Sequence, residues 1–454
     1  MNKVIFILII LFLLLIIIKL KKSSKIHKLN SNKDIINIIK FAVTNNKKIL
    51  ILSSMNKSSS HNKNNVFLSE KYINICLNKF NKIINLDIKN KLLTVQSNCT
   101  WFQLVKFLDK YNLTPRTTQA GLHFTVAGSI CSNIHSKKIK SSMLIDSVKQ
   151  IKYINGLGNI VIVNEFTNEF KAFFGSMGLL GIIIEVTIYL EPNYSLEYKK
   201  LPIKRTQIFN KIMNVINDEH LYTVNFYPSS LLNYDKAVLL LSYKKGICKK
   251  EKFDHNKYYK NSTFFFTISV IFAEIVHKIL KKDDAIKFIY NQELKMYNVQ
   301  NKCYNNRFEE WDLPFHRRVE VNDIIIPFND KLSDNIVNIV NIVKKYNLFL
   351  GLSCRLIQMK NKYSNTYLSY VPDNKLYFGG VLNYIRKDNY KLFLKELESY
   401  MIKNNIHYHL CYDNDISKNT FRKLYPEYKK FLKLKEKTDP HNVFINSFFN
   451  DYLK

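Results

Sequence analysis

The chain has 454 residues and a formal net charge of +33, so it is long enough for two compact domains and a terminal element. A basic surplus of this size would ordinarily point to nucleic acid or anionic lipid. Here lysine is spread along the whole chain and no nucleic-acid recognition motif accompanies it, so we expect no nucleic-acid partner. The seven cysteines are scattered without metal-site or redox-pair spacing, which predicts reduced thiols and no metal.

The chain begins with a membrane-directed segment. Val4 to Ile18 is an unbroken apolar run, with Lys3 before it and four lysines soon after it. Because the lysines follow the run and no small-residue cleavage site appears, an uncleaved anchor is favoured over a signal peptide. With snorkelling lysines the run reaches a thin membrane span. Residues 1–22 are therefore predicted to be a single-pass anchor, with the bulk of the chain in the cytoplasm; the alternative is a buried core helix.

The next segment predicts alternating strands and helices. Lys47–Leu52 has the composition of a buried strand, and residues 53–62 that follow it have turn composition. Leu92–Ser97 alternates like a half-buried strand, and Thr100 is a good N-cap for a helix with one apolar face.

Seven of the eleven glycines lie between Gly121 and Gly181, and none precedes them. In a chain this poor in glycine, such positions need positive φ or a close approach of the main chain to a ligand. Small residues at Thr125-Val-Ala-Gly-Ser-Ile130 predict a tight turn whose consecutive amides point outward and bind pyrophosphate without lysine. A second glycine loop, Gly175 to Gly181, leads into a long β-branched strand that ends at Pro192.

From Asn193 to about Asn405, strand-like pieces alternate with amphipathic helices, which predicts a second, α+β domain. Within it, Ser262 to Leu280 is strongly apolar but interrupted by polar residues. This segment is either membrane-proximal, covering the substrate, or an ordinary buried helix.

These motifs resemble FAD-linked oxidases of the vanillyl-alcohol oxidase (p-cresol methylhydroxylase-type, PCMH-type) superfamily. The family segments read approximately T-V-G-G-x-I-x-x-x-x-H-G, D-x-V and G-x-x-G-x-x-G-I-I-x-x-x-T. The end of the chain, with Phe421 to Phe431 and then Lys437-Thr-Asp-Pro-His-Asn-Val-Phe444, is similar to that of aldonolactone (gulonolactone and arabinonolactone) oxidases and of decaprenylphosphoryl-ribose oxidase. The resemblance covers both ends of the chain and is faint in the middle.

The resemblance implies an α+β fold in which a two-subdomain PCMH-type FAD-binding domain, residues 30–192, is joined to an α+β substrate (cap) domain, residues 193–405. Residues 406–454 would return to the FAD domain, and the N-terminal transmembrane helix would precede all of these. The cofactor would be FAD. The residues implied to bind it are Lys57, Ser58, Thr125, Val126, Ala127, Gly128, Ser129, Ser132, Asn133, His135, Gly178, Gly181, Ile183 and Asn446.

The chain departs from the family pattern at the first phosphate loop. Family members carry R-G-x-G-x-S or G-G-G-H-S there, whereas Ser53 to Asn62 has no glycine. Lys57 stands where some members carry the histidine that bonds covalently to flavin, so FAD is expected to bind non-covalently; His61 is a less favoured attachment point. An alternative is that this loop no longer binds the nucleotide and that the domain is degenerate and non-catalytic.

A second departure lies at His407-Tyr-His-Leu-Cys-Tyr-Asp413, where related oxidases have H-W-x-K. His409 matches the histidine and Tyr412 replaces the lysine. Oxidation of a hydroxyl requires a base or proton relay near the flavin, for which His409, Tyr412 and Asp413 are candidates. Arg355, on a predicted strand of the cap domain, is the candidate for stabilising a developing oxyanion.

The resulting hypothesis is a membrane-anchored FAD oxidoreductase that oxidises a sugar lactone, a lipid-linked sugar or a similar alcohol by hydride transfer to flavin N5. One alternative within the resemblance is reduction of a sterol or lipid double bond. Another is a degenerate, non-catalytic flavin-fold protein tethered to the membrane.

Overall fold

The computed structural model describes residues 26–52, 72–119, 121–228, 235–248, 302–307, 319–346, 349–360, 366–385, 388–411 and 415–454. The predicted anchor, residues 1–22, and the apolar segment 262–280 lie outside these ranges. Among the helices that are described, none is both long and apolar enough to cross a membrane.

A small first lobe is built on a three-stranded parallel sheet with the order β1-β3-β2. Its strands are β1 (Ile26–Lys28), β2 (Lys48–Leu52) and β3 (Tyr72–Cys76). Helix α1, Asn32–Thr44, begins where the side chains of Ser31 and Asp34 cap each other's backbone amides. The apolar face of α1 packs on the sheet and closes a small separate core, to which Val443 and Phe444 contribute from the end of the chain.

A second lobe contains a six-stranded sheet with the order β4-β5-β9-β7-β8, in which β6 also pairs with β9. Its strands are Ile83–Asp87 (β4), Leu92–Gln96 (β5), Leu113–Pro115 (β6), Val148–Ile154 (β7), Ile160–Asn164 (β8) and Ile182–Pro192 (β9). Its helices are α2 (Trp101–Asp109), α3 (Val126–Cys131) and α4 (Asn168–Ala172). Thr100 caps α2 reciprocally with Gln103, which confirms the predicted start of this helix.

The third part is an eight-stranded antiparallel sheet with the order β13-β10-β12-β11-β15-β16-β14-β17. Its strands are Tyr194–Lys204 (β10), Leu221–Pro228 (β11), Lys236–Ile247 (β12), Lys302–Cys303 (β13), Val319–Pro327 (β14), Phe349–Gln358 (β15), Leu376–Ile385 (β16) and His407–Tyr408 (β17). The remaining helices are α5 (Ile208–Met213), α6 (Leu332–Lys345), α7 (Tyr390–Lys403), α8 (Lys418–Leu424) and α9 (Tyr428–Thr438). Helix α6 packs on β14, β15 and α7, and the architecture confirms the predicted mixture of α and β elements.

The large sheet and the second lobe are bonded directly to each other. The amide of Ile139 donates to the carbonyl of Tyr222 at 3.1 Å, and the amide of Gln358 donates to the hydroxyl of Ser142 at 3.1 Å. One hydrophobic core runs through both parts without a break. A site between them is therefore held by packing on both sides.

Cys248 and Cys303 form a disulfide, so the expectation of reduced thiols is wrong for this pair. The two cysteines are 55 positions apart in sequence, but their Cα atoms are 5.6 Å apart. They meet because β13 pairs with β10 beside the end of β12. Sequence spacing did not reveal the pair, since only the strand order brings the two residues together. Among the described residues, the other five cysteines form no disulfide.

Candidate cofactor and active site

The turn predicted to bind pyrophosphate forms the short helix α3. Thr125 is its N-cap, and the Thr125 side chain accepts a hydrogen bond from the amide of Gly128 at 3.2 Å. The amides of Val126 and Ala127 donate to the carbonyl groups of Cys99 and Ser97, in the loop between β5 and α2, at 2.9 and 3.1 Å. The expectation that these consecutive amides point outward is therefore wrong, because all three are already bonded within the protein. What this turn offers a ligand is its shape and its small side chains.

Side chains of α3 also bond the turn to helix α2 and to the loop that precedes α3. Ser129 accepts a hydrogen bond from the indole of Trp101 at 2.8 Å and donates to Gln119 at 2.6 Å. Val126 and Ile130 lie in the core. The turn is thus held rigidly before any ligand arrives.

The second glycine motif lies directly against α3. The amide of Gly175 donates to the carbonyl of Ile130 at 3.3 Å, and the amide of Met177 donates to the carbonyl of Cys131 at 3.0 Å. Two motifs that are more than 40 residues apart in sequence therefore form one surface.

Glycine is required in this loop for two reasons. Gly178 has φ +78° and Gly181 has φ +147°, conformations that L-residues rarely adopt. A Cβ on Gly181 would also lie 2.5 Å from the carbonyl oxygen of Ile154. The strand β9 begins immediately afterwards, with Ile183 buried in the core.

The end of the chain holds the glycine loop in place. The side-chain amide of Asn446 donates to the carbonyl of Met177 at 2.8 Å, and the Nζ of Lys435 donates to the carbonyl of Leu179 at 3.1 Å. Lys435 forms a buried ion pair with Asp439 at 2.7 Å. The C-terminal segment thus contributes to the same surface as the two glycine-containing motifs.

Three polar side-chain atoms around α3 have no hydrogen-bond partner among the described residues: Ser97 Oγ, Asn98 Oδ1 and Asn133 Oδ1. Asn133 is buried and has φ +51°, so its backbone is fixed in a conformation that few residues adopt. Buried polar atoms normally have partners in native proteins. Their concentration beside this motif fits a polar ligand that carries hydroxyl and amide groups.

A buried polar cluster connects α3 to the large sheet. His135 Nε2 lies 3.1 Å from Asp323 Oδ2, and His409 Nδ1 lies 3.6 Å from the same oxygen. The hydroxyl of Tyr370 is 3.2 Å from His135 Nδ1. His409 Nε2 lies 2.7 Å from the carbonyl oxygen of Ser132. The five residues form one continuous chain of polar contacts, which we call the histidine cluster.

Sheet order explains how the cluster assembles. Asp323 lies on β14, and His409 follows β17, the strand that pairs with β14 at the edge of the sheet. The amide of His409 donates to the carbonyl of Asp323 at 2.8 Å, which fixes the spacing of the two side chains. On the neighbouring strand β16, Gly379 lies against the ring of His135: an added Cβ would make an ordinary contact with that ring at 3.5 Å but would clash with Ile357 at 2.2 Å.

Burial sets the charge states of two members of the cluster. It lowers the pKa of His135 to about 3, against the opposing attraction of Asp323, and the positive charge of Arg355 lowers it further. Burial alone would raise the pKa of Asp323, but the hydrogen bond from His409 and the charges of His135 and Arg355 outweigh it, and this pKa lies below its ordinary value. At neutral pH His135 is therefore a neutral ring and Asp323 is a carboxylate.

The structure brings His135, Ser132, Asn133, His409 and Arg355 into one region, and Arg355 lies on strand β15 as predicted. The other predicted residues Lys57, Ser58, Tyr412 and Asp413 lie outside the described residues.

Sequence reasoning missed Asp323 and Tyr370. A signal for Asp323 was present, since it is a charged residue directly before the apolar run Ile324 to Ile326 of a buried strand. Tyr370 gave no signal, because it lies in a loop between β15 and β16 in a chain with 28 tyrosines.

Comparison with known proteins gives family matches and relatives for the whole chain. The FAD binding domain family model matches residues 24–164, and the D-arabinono-1,4-lactone oxidase family model matches residues 186–452. The chain is 20% identical to the L-gulonolactone oxidase of Mus musculus over 430 residues, which covers 91% of this chain and 92% of the relative. It is 20% identical to the L-gulonolactone oxidase of Bos taurus over 433 residues, 92% of each chain. It is 23% identical to the D-arabinono-1,4-lactone oxidase of Debaryomyces hansenii over 192 residues, 39% of this chain and 34% of the relative.

Proposed function

Because the chain belongs to the D-arabinono-1,4-lactone oxidase family and carries an FAD binding domain, we propose that it oxidises a sugar lactone or a closely related CH–OH donor. The chain is an FAD-dependent oxidoreductase. Its relatives include enzymes named for L-gulonolactone and for D-arabinono-1,4-lactone, and these two lactones are the first substrates to test. A lipid-linked sugar with the same CH–OH group is a further member of this substrate class.

The residues around α3 fit FAD. The unpartnered atoms of Ser97, Asn98 and Asn133 would be satisfied by ribose hydroxyls and by polar groups of the flavin ring. The turn Thr125 to Ile130, together with Ser132 and His135, would hold the flavin side, and Gly178 to Ile183 the adenosine side. Asn446 would hold the glycine loop in position. We expect the binding to be non-covalent, because Lys57 stands where some members of the superfamily carry the attachment histidine.

When bound, FAD supplies an acceptor for a hydride at N5 of its isoalloxazine ring. The substrate loses a hydrogen with its electron pair from carbon and a proton from oxygen, and a carbonyl group forms. The proton requires a base or relay among this chain's own residues, with His409, Tyr412 and Asp413 as the candidates. Arg355 would stabilise negative charge on the substrate oxygen as that proton leaves. The electrons then pass to oxygen or to another acceptor.

The single observation that supports this function most strongly is the contact between His409 and Ser132 at 2.7 Å. It joins the residue that matches the histidine of the oxidase H-W-x-K motif to the motif that matches the flavin-binding turn. This contact supports the proposal that His409 lies beside the cofactor site.

The test is to purify the full chain, load it with FAD and add each lactone without oxygen. We expect the visible flavin absorbance to bleach with L-gulonolactone or D-arabinono-1,4-lactone and to return when oxygen or an artificial acceptor is admitted. Flavin released by acid precipitation would confirm non-covalent binding. If the protein binds FAD but no lactone or sugar alcohol bleaches it, the proposed substrate class is wrong.

A matched pair of arginine variants separates catalysis from general charge effects. Arg355→Met removes the guanidinium beside the histidine cluster, and Arg422→Met removes an exposed one that lies over Tyr428. We expect Arg355→Met to slow flavin bleaching roughly 100-fold or more, on the scale seen when a group that stabilises an oxyanion is lost. Arg422→Met is expected to react like the natural protein.

The proposal includes attachment to a membrane, which rests on the sequence of residues 1–22 alone. The apolar run Val4 to Ile18 with its flanking lysines is the supporting feature. Flotation with lipid vesicles tests it: the full chain should float with the vesicles, and a variant without residues 1–22 should not. Equal flotation of both proteins would assign attachment to another part of the chain.

A further inference from the structure

In the histidine cluster, two histidine rings face the same carboxylate, that of Asp323, but their other neighbours differ. Asp323 is 2% exposed, and its Oδ2 is the oxygen nearest to both rings. His135 follows helix α3 and His409 follows strand β17, and each ring has a different second partner. These second partners determine which ring nitrogens carry protons.

Around His135, one proton satisfies both ring nitrogens. Nε2 faces the carboxylate at 3.1 Å and must carry a hydrogen to bond it. Nδ1 faces the hydroxyl of Tyr370 at 3.2 Å, and that hydroxyl donates to an unprotonated nitrogen. A neutral ring with its hydrogen on Nε2 therefore meets both contacts, which agrees with the lowered pKa of this residue.

Around His409, one proton is not enough. Nε2 lies 2.7 Å from the carbonyl oxygen of Ser132, which only accepts, so Nε2 carries a hydrogen. Nδ1 lies 3.6 Å from the Asp323 carboxylate, which in its ionised form also only accepts. A bare nitrogen lone pair facing a carboxylate at this distance is repulsive, whereas a protonated nitrogen is attracted to it. The Tyr370 ring, whose centroid lies 4.0 Å from that of His409, also favours a cation there.

We propose that Asp323 is a positioning residue that holds His409 as an imidazolium cation and His135 as a neutral ring protonated on Nε2. His409 then acts as a fixed positive charge and not as the base that receives the substrate proton. This inference rests on the proposed function and narrows it, because it removes one of the three base candidates. A fixed charge at this place favours the negative charge that develops when a hydroxyl loses its proton and when flavin gains electrons.

The other ionisable groups around the cluster are compatible with this assignment. Arg355 on β15 is cationic and adds a second positive charge near Asp323. Burial raises the pKa of the Cys354 thiol and that of the Cys411 thiol, so both remain neutral. With one carboxylate, one imidazolium and one guanidinium, the cluster carries one net positive charge.

The test is NMR on the full chain with isotope-labelled histidine nitrogens, with and without FAD. It measures directly which ring nitrogens carry a proton. The chain has 11 histidines, so His135→Gln and His409→Gln identify the two signals. Near neutral pH we expect the natural protein to show His409 with both nitrogens protonated and His135 with only Nε2 protonated. A neutral His409 in the natural protein would overturn the proposal, whatever the variants do.

The variant Asp323→Asn tests whether Asp323 is the cause of the second proton on His409. It keeps the shape of the side chain but removes the charge, so His409 should lose its second proton, and flavin reduction should slow at least about tenfold. As a control, Asp218→Asn removes an exposed carboxylate in the turn between helix α5 and strand β11. It should change neither the protonation of His409 nor the rate of flavin reduction. If folded Asp323→Asn still shows a doubly protonated His409, Asp323 is not the residue that sets its state. If Asp323→Asn does not fold, the signals of the natural protein decide the question alone.

The two proposals fail in different ways. Absence of lactone oxidation together with the expected histidine signals would contradict the proposed substrate class and leave the role of Asp323 intact. Lactone oxidation together with a neutral His409 would support the function and return His409 to the base candidates.

Discussion

Two histidines in the interior have lost the ability to titrate near neutral pH. Burial lowers the pKa of His135 to about 3 and that of His407 to about 4, from 6.5. Below pH 6.5 the unfolded chain binds protons at these positions that the folded chain does not. The free energy of unfolding therefore falls as pH falls from 6.5 to the folded pKa of each residue, by about 1.4 kcal/mol per pH unit and histidine.

We predict that His407→Gln flattens this dependence. The ring of His407 contacts Asn405 at 3.2 Å and lies outside the histidine cluster, so an amide that does not titrate is tolerated there. Between about pH 6.5 and 4, the free energy of unfolding should fall less steeply, by up to about 1.4 kcal/mol per pH unit. Urea titrations at several pH values measure the slope. His220→Gln, on an exposed residue, is the control, and equal slopes for His407→Gln and the natural protein would contradict the prediction.

A second residue-scale prediction concerns two glycines with similar backbone conformations. Gly181 has φ +147° and Gly246 has φ +127°, so alanine is strained at either position by about 1–3 kcal/mol. Only at Gly181 does an added Cβ also meet the backbone, 2.5 Å from the Ile154 carbonyl oxygen; at Gly246 nothing lies within 4 Å. Gly181→Ala should therefore lower the midpoint of thermal unfolding clearly more than Gly246→Ala, and should release FAD. Equal midpoints would show that the backbone at the start of β9 can move to accommodate the methyl group.

At the scale of elements, helix α9 and the turn after it clamp the glycine loop. Asp439 accepts the amides of Val443 and Phe444 at 2.8 and 2.9 Å and pairs with Lys435, which in turn reaches the carbonyl of Leu179. The turn is also bonded to β2, since the amide of Ile49 donates to the carbonyl of Val443 at 2.7 Å. The C-terminal segment is therefore bonded to the first lobe through β2 and to the second lobe through the glycine loop.

Lys435→Met should break the clamp, and Lys437→Met, two positions later on the same helix, should not. Lys435 is 1% exposed, and removing one partner of a buried ion pair leaves the other charge uncompensated, at a cost of about 3–5 kcal/mol. Lys437 meets Glu169 at 3.5 Å on the surface, where such pairs contribute little. Denaturant unfolding and FAD titration measure both effects. Similar losses in the two variants would mean that α9 is sensitive to any change of charge.

Local signals predicted some elements well and others not at all. The start of α2 at Thr100 followed from its cap and the apolar face after it, because both lie within a few residues of each other. Strands β13 and β17 have two residues each and exist only through pairing with distant strands, so no local pattern marks them. The same reason hid the contact of Lys435 with Leu179, which is 256 positions away, although the motif around Asp439 resembles the ending of related oxidases.

At the scale of the whole molecule, the candidate site is a meeting point of segments that are far apart in the chain. Its motifs at Thr125 to His135 and at His409 were visible in the sequence, because small residues and a histidine pattern are local signals. The partnership of His135 with Asp323 was not visible, since it follows from the order of eight strands. The outward-pointing amides were predicted wrongly because the loop between β5 and α2 supplies carbonyl acceptors that the sequence of the turn does not show.

The disulfide joins Cys248, which directly follows β12, to Cys303 on β13 of the large sheet. In the loop-closure model, a bond between Cys248 and Cys303, 55 positions apart, stabilises the folded chain by about 4 kcal/mol. Cys303→Ser should lower the free energy of unfolding by up to that amount, and reduction of the natural protein should have the same effect. Peptide mapping without reduction should recover the two cysteines as one linked pair. Stability that does not respond to reductant would contradict the prediction.

That bond also bears on where in a cell the protein matures. Stable disulfides form in oxidising compartments such as the lumen of the endoplasmic reticulum and are rare in the cytosol, where thiol reductants keep cysteines apart. The lysine pattern around the N-terminal apolar run predicts a cytoplasmic location for the bulk of the chain, whereas the Cys248–Cys303 pair is typical of a protein that folds in an oxidising compartment. Production of the protein in an oxidising host compartment, compared with a reducing one, therefore tests whether folding depends on the Cys248–Cys303 bond.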